Sequence, residues 1–147
     1  MTVSSKILIA SDHAGYELKE QVERVLRARG LDVEDLGPSN TNSTDYADFA
    51  HPLAKRVASG EVRQGILICG TGLGMSYVAN RYPGVRAAVS WAPEIASLAR
   101  QHNDANVLVL PARFVSEQEA EKIVDSFLNS KCEGGRHARR VEKIERR

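Results

Sequence analysis

The stretch Ile66-Leu-Ile-Cys-Gly-Thr-Gly-Leu-Gly-Met75 decides how this chain is read. Gly65 to Cys69 is an apolar run of strand length, Gly70 to Gly74 is a glycine-rich turn, and a short helix is predicted from about Met75 to Arg81, ending near Pro83-Gly84. A strand with no polar alternation is buried on both faces, as happens where helices cover both sides of a parallel sheet. The same unit recurs to either side. Lys6 to Ser11 reads as a strand, followed by a helix over Tyr16 to Arg29 with Leu18, Val22, Val25 and Leu26 on one face and Gly30 as its stop. Leu31 to Leu36 reads as a second strand, closed by Gly37-Pro38 and the polar loop Ser39 to Thr44. Asp45 is placed to cap the next helix, which carries Phe49, Leu53 and Val57.

Beyond the loop, Val85 to Ser90 and Asn106 to Leu110 read as strands, with a helix over Pro93 to His102 between them. Ser116-Glu-Gln-Glu119 is a capping box opening a helix that runs to about Asn129. After the break at Glu133-Gly-Gly135, a last, exposed helix is predicted from Arg136 to Arg147. Five strands, each followed by a helix, predict a three-layer α/β/α sandwich around a five-stranded parallel, Rossmann-like sheet, with residues 1–147 forming one domain. Ligands in such folds bind beyond the carboxyl ends of the strands. The chemistry is therefore sought at Asp12-His13, Gly37, Cys69 to Gly74, Ser90-Trp91 and Pro111 to Arg113.

Composition narrows the classes. The chain has 147 residues, 42% hydrophobic and 27% charged, which excludes a disordered chain, a coiled coil and a collagen-like repeat. Two cysteines cannot make a disulfide framework, and the apolar run Ile7 to Ala10 is too short for a leader or a membrane span, so the reading is a reduced, cytoplasmic protein. The net charge of +1 argues against bulk attraction to nucleic acid or membranes. It conceals an asymmetry: the tail carries Arg136, Arg139, Arg140, Lys143, Arg146 and Arg147 against Glu142 and Glu145, so the tail is +4 and the rest −3. The tail has no aromatic residue to stack a base. Arg136 and Arg140, one helical turn apart, share a face and suit a phosphate monoester, although a basic terminal helix is more commonly just solvated.

The glycine loop lets a backbone approach a ligand closely and offers N–H groups to an anion; its plain alternative is a tight turn. It is a poor dinucleotide fingerprint, because the third glycine falls one residue early and no acid stands near Val89 to Trp91. It is no Walker loop, since no Gly-Lys-Ser/Thr follows. Cys69 is either a small buried hydrophobe or a reactive thiol at the ligand edge; Cys132 is read as incidental. Asp12 caps a helix or meets a ligand, and His13 beside it could bind phosphate or move a proton. His102-Asn103 reads as a polar helix end or a second functional pair, and His51 as structural.

Taken together, Ser11-Asp-His-Ala-Gly-Tyr-Glu-Leu-Lys19, Thr44-Asp-Tyr46, Ile-Cys-Gly-Thr-Gly-Leu-Gly, Arg100-Gln-His-Asn-Asp104 and Glu133-Gly-Gly-Arg-His137 resemble the type B ribose-5-phosphate isomerases, whose wider family includes allose-6-phosphate and galactose-6-phosphate enzymes. The resemblance covers the chain from about Lys6 to the C-terminus. It implies aldose–ketose isomerisation of D-ribose 5-phosphate and D-ribulose 5-phosphate without metal or organic cofactor. It implies Cys69 as base, His102 as the group that opens the sugar ring, and Thr71 with the loop amides at the developing enediolate. Asp12, His13, Gly70, Thr71, Gly72, Leu73, Gly74, Asn103, Arg113, Arg136 and Arg140 would contact the substrate, with His13, Arg136 and Arg140 on its phosphate. The family works as homodimers with shared active sites, in some cases paired into tetramers, and the C-terminal helix would serve both phosphate and dimer. One branch replaces the cysteine by glycine and uses a glutamate that would fall at Met75, so this chain resembles the cysteine branch. In the galactose-6-phosphate enzymes the functional residues are divided between two different subunits; here all lie on one chain. The readings set against this are the same chemistry on a six-carbon sugar phosphate, and a non-catalytic sugar-phosphate-binding module.

Overall fold

In strand β1 (Ser4–Ser11) the period of two sends Ile7 and Ile9 to one face and Leu8 and Ala10 to the other, and all four are buried. One strand therefore feeds two cores. The computed structural model describes residues 4–146; Met1 to Val3 and Arg147 lie outside the described residues. Besides β1 it contains β2 (Val33–Asp35), β3 (Val62–Cys69), β4 (Ala87–Val89) and β5 (Val107–Pro111). The helices are α1 (Tyr16–Ala28), α2 (Tyr46–Ala58), α3 (Leu73–Ala79), α4 (Pro93–Asn103), α5 (Glu117–Asn129) and α6 (Arg136–Glu142). Among them no helix is long and apolar enough to cross a membrane.

All neighbouring strands pair in parallel, in the order β2-β1-β3-β5-β4. This is the α/β sandwich the alternating pattern predicts. On one face α1, α4 and α5 pack Leu18, Val22, Leu26, Ala96, Ile123 and Phe127 onto Ile9, Ile66, Ile68, Leu108 and Leu110. On the other, α2 and α3 pack Leu53, Ala54, Val57, Met75 and Ala79 onto Leu8, Leu67, Val107 and Val109, and Cys69 belongs to this second core. Chain order reverses between β1 and β3, so the crevice at the carboxyl end of these two strands is where a ligand is expected.

Several boundaries move for local reasons. The two edge strands shrink to three residues each, because only one side offers a ladder partner. Helix α1 ends in a Schellman pair, with Gly30 N–H on Arg27 O and Leu31 N–H on Leu26 O, and Gly30 takes the left-handed φ of 79°. The Ser116–Glu119 capping box is formed in both directions. Asp45 sits at the N-cap of α2, but its side chain makes no capping bond. Helix α6 departs most from expectation: it ends at Glu142 rather than Arg147, and it is not wholly exposed. It packs on α4 and buries His137 there.

Candidate active site

A cavity of about 250 Å³ opens at the carboxyl ends of β1, β3 and β5, lined by Asp12, His13, Ala14, Tyr46, Cys69, Gly70, Thr71, Gly74 and Arg113. Cys69 is the last residue of β3 and only 5% exposed. Its carbonyl accepts from Ala112 N at 2.8 Å, and Gly70 O accepts from Arg113 N at 3.0 Å, so the chain leaving β5 is laced to the chain leaving β3.

The loop glycines answer to their surroundings. Gly72, at φ 78°, is the left-handed N-cap that turns the chain into α3, two residues ahead of the predicted start. A Cβ on Gly70 would meet the Arg113 guanidinium at 3.1 Å, and one on Gly74 would meet the Tyr46 ring at 2.7 Å. The loop is bare so that an arginine and a tyrosine can lie against it. Thr71 is exposed, and its hydroxyl accepts from Leu73 N at 3.2 Å.

Asp12 is buried and its Oδ1 accepts from Gly15 N at 3.0 Å, so it shapes the turn into α1 while facing the cavity. His13 is held by Thr44 twice: His13 N donates to Thr44 Oγ1 at 3.0 Å, and Thr44 N donates to His13 Nδ1 at 3.1 Å. A backbone N–H can only donate, so Nδ1 is the acceptor and a neutral ring carries its hydrogen on Nε2. Thr44 holds His13 and Tyr46 lines the cavity, and side-chain chemistry singled out neither; the signal was their place in the Thr44-Asp-Tyr46 step.

The remaining candidates lie elsewhere. Helix α4 leaves the carboxyl end of β4 and runs back antiparallel to the strands, so its eleven residues carry His102 and Asn103 to the opposite edge of the sheet, about 15 Å along the axis. There His102 stacks on His137 of α6, with ring centroids 4.1 Å apart and planes 6° from parallel. Nε2 of His102 and of His137 lie 3.8 and 3.5 Å from Glu133 Oε1. Removal from water, then the neighbouring His102 and Arg136, lower the pKa of His137, with Glu133 opposing. Arg136 and Arg140 stand exposed on the same helix, and among the described residues neither they nor Arg113 pair with a carboxylate. The candidate residues thus fall into two groups on one chain. Asp12, His13, Cys69, Gly70, Thr71, Gly74 and Arg113 form one; His102, Asn103, Arg136 and Arg140 belong to the other end. Cys132 is a free thiol outside both, and His51 bonds Tyr82 Oη through Nδ1 at 2.6 Å, a structural contact.

Residues 7–144 match the family model described as ribose/galactose isomerase. The chain belongs to the ribose/galactose isomerase family. Ribose-5-phosphate isomerase B of Escherichia coli is 48% identical over 139 residues, covering 95% of this chain and 93% of the relative. A crystal structure of ribose 5-phosphate isomerase from Thermotoga maritima superposes with a TM-score of 0.93 at 52% identity, covering 96% of this chain and 97% of that one. The ribose-5-phosphate isomerase B of Mycoplasma genitalium, solved with bound ribulose-5-phosphate, superposes with a TM-score of 0.92 at 47% identity, covering 99% and 97%. The chain has a cysteine at position 69 and Met75 on the loop helix, both buried.

Proposed function

We propose that this chain is a cytoplasmic type B ribose-5-phosphate isomerase that interconverts D-ribose 5-phosphate and D-ribulose 5-phosphate as a homodimer. The observation that carries the reading is the cavity that collects Cys69, Thr71, Asp12, His13 and Arg113 around an open glycine loop. The relative solved with ribulose-5-phosphate supports the substrate class. Two free cysteines support a reducing compartment.

His102 assists opening of the furanose ring. Cys69, as thiolate, takes the proton from the carbon beside the carbonyl, and negative charge passes to oxygen in a cis-enediolate. The amides of the Gly70–Gly74 loop and the Thr71 hydroxyl face that charge as an oxyanion hole does. The proton returns at the neighbouring carbon. The substrate is neither oxidised nor reduced overall, so atoms and electrons balance without a cofactor. His13 donates through Nε2 to the phosphate, which Arg136 and Arg140 clamp. Asp12, Leu73, Gly72, Asn103 and Arg113 hold the sugar. Remote phosphate binding then orients the reacting carbons.

The two groups of candidate residues support the dimer. A cavity of about 250 Å³ lies below the usual range of roughly 300–1,000 Å³ for ligand sites, so the lone chain offers part of a site. A two-fold partner that docks its His102 edge on the Cys69 edge completes two sites at once. Exposed Leu73, Tyr77, Trp91 and Phe114, on segments leaving the strands' carboxyl ends, supply apolar surface for that contact. The whole chain then acts as one isomerase domain, with α6 serving both phosphate and dimer. Turnover of ribose 5-phosphate by Cys69→Ala tests the reading. A fall in kcat of about 10²–10⁴ with a modest change in KM is expected, and near-normal turnover removes Cys69 as base.

A further inference from the structure

We propose that His102, Glu133 and His137 form a binding site for a divalent transition-metal ion such as Zn²⁺, and that an ion bound there inhibits the enzyme by occupying His102. Three donor atoms already converge. Nε2 of His102 and Nε2 of His137 lie 3.8 and 3.5 Å from the same Glu133 oxygen, and one ring nitrogen of each histidine and a Glu133 carboxylate oxygen fall within 4.8 Å of one another. A tetrahedral ion with bonds of about 2.0–2.1 Å holds its ligand atoms roughly 3.3 Å apart, so the cluster needs a small contraction and a turn of the stacked rings about χ2.

A second observation points into the same space. Nε2 of His137 is buried without a hydrogen-bond partner among the described residues, and its side chain is only 9% exposed. Buried polar atoms are nearly always satisfied, and an ion would satisfy this one. The backbone that carries the carboxylate is anchored as well, since Glu133 N donates to Gln101 O at 2.9 Å at the end of α4. Two imidazoles and a carboxylate select zinc-like ions over magnesium or calcium, which take oxygen ligands. Arg136 and Arg140 on the same helix oppose a cation, so the site suits a reversible inhibitory ion better than a permanent one.

Binding stands on these residues alone; inhibition rests on the ring-opening role given to His102. The test begins with binding. A Cys69→Ala/Cys132→Ala chain, whose thiols cannot compete, is titrated with Zn²⁺ by calorimetry and with Co²⁺ by visible absorption. One ion per chain is expected, and Co²⁺ should broaden the ring resonances of His102 and His137 but not His51. Adding His137→Ala, or Glu133→Gln at an exposed position that leaves folding intact, should weaken binding by more than about tenfold. Absence of saturable binding, or equal affinity in all three chains, overturns the site. Turnover is then measured in the chain with both cysteines intact. Zn²⁺ should inhibit it, a chelator should restore it, and Glu133→Gln should raise the half-inhibiting concentration by the same factor that it weakens binding. Inhibition indifferent to Glu133→Gln places the ion elsewhere and overturns the proposal. Binding without inhibition overturns its inhibitory half and, with it, the role of His102.

Discussion

Thr44 N donates to Nδ1 of His13 at 3.1 Å, across 31 residues of sequence, so the loop before α2 dictates which ring nitrogen of His13 carries hydrogen. The return bond, His13 N to Thr44 Oγ1 at 3.0 Å, closes the pair. Nitrogen-15 spectra of the neutral ring should therefore show a protonated Nε2 and a bare Nδ1. Thr44→Pro, which removes the donor, should let both tautomers populate and raise KM for the sugar phosphate. A protonated Nδ1 in the unsubstituted chain contradicts the assignment.

The proposal that two copies share each site is tested by a mixing experiment. Cys69→Ala impairs one group and His102→Ala the other. Each homodimer should be nearly inactive, while an equal mixture allowed to exchange subunits should recover about a quarter of wild-type turnover, because half the dimers then hold one intact site. No recovery on mixing, with exchange verified by mass, argues that each site is built within one chain.

Lys19 is fully buried, with Nζ 2.6 Å from Asp35 Oδ2 and 3.1 Å from Glu20 Oε1. Asp35 also accepts Gly37 N at 2.8 Å, so this pair ties α1 to the end of β2. Asp35→Asn keeps an acceptor for Gly37 but strips the charge opposite a buried ammonium. It should cost about 3 kcal/mol in urea unfolding, the low end for breaking a buried pair because Glu20 remains. Lys19→Met removes the buried charge itself and should cost less. The reverse order would show that the lysine's packing, not its charge, matters there.

Glu34 illustrates the acid limb of stability. Hydrogen bonds from Arg56, and then Lys6, pull its pKa from 4.5 to about 2. The folded pKa is depressed, so the contribution is present above 4.5 and lost as pH falls toward 2. The carboxylate is about one-third exposed, and screening holds the contribution below about 1 kcal/mol. Glu34→Gln should lower Tm slightly at pH 7 and leave it unchanged near pH 2. An equal loss at both pH values would assign the effect to packing.

Residues whose role is local could be read directly. The apolar runs at Ile66 to Cys69 and Val107 to Leu110 could only be strands covered on both faces, and Gly30 and Ser116 carry stop and start signals that need no distant partner. The motifs containing Cys69, His13 and His102 likewise pointed to a sugar-phosphate isomerase. What escaped were features made by residues far apart in sequence: Thr44 on His13, Tyr46 against Gly74, Arg113 over Gly70, and the burial of His137 on α4. The end of α6 is not legible in the sequence, because a run of charges with helical propensity says nothing about where its support stops.

By itself the amino-acid sequence determined the parallel α/β sheet, the ligand edge and the list of chemical groups, because hydrophobic period, glycine placement and side-chain type act within a few residues. Only the tertiary structure decided which groups meet. Helix α4 runs antiparallel to its strands, so it carries His102 away from Cys69 and sets it beside His137 and Glu133. That separation is a consequence of how α4 packs on the sheet, and packing of distant segments is written in no local stretch of the chain.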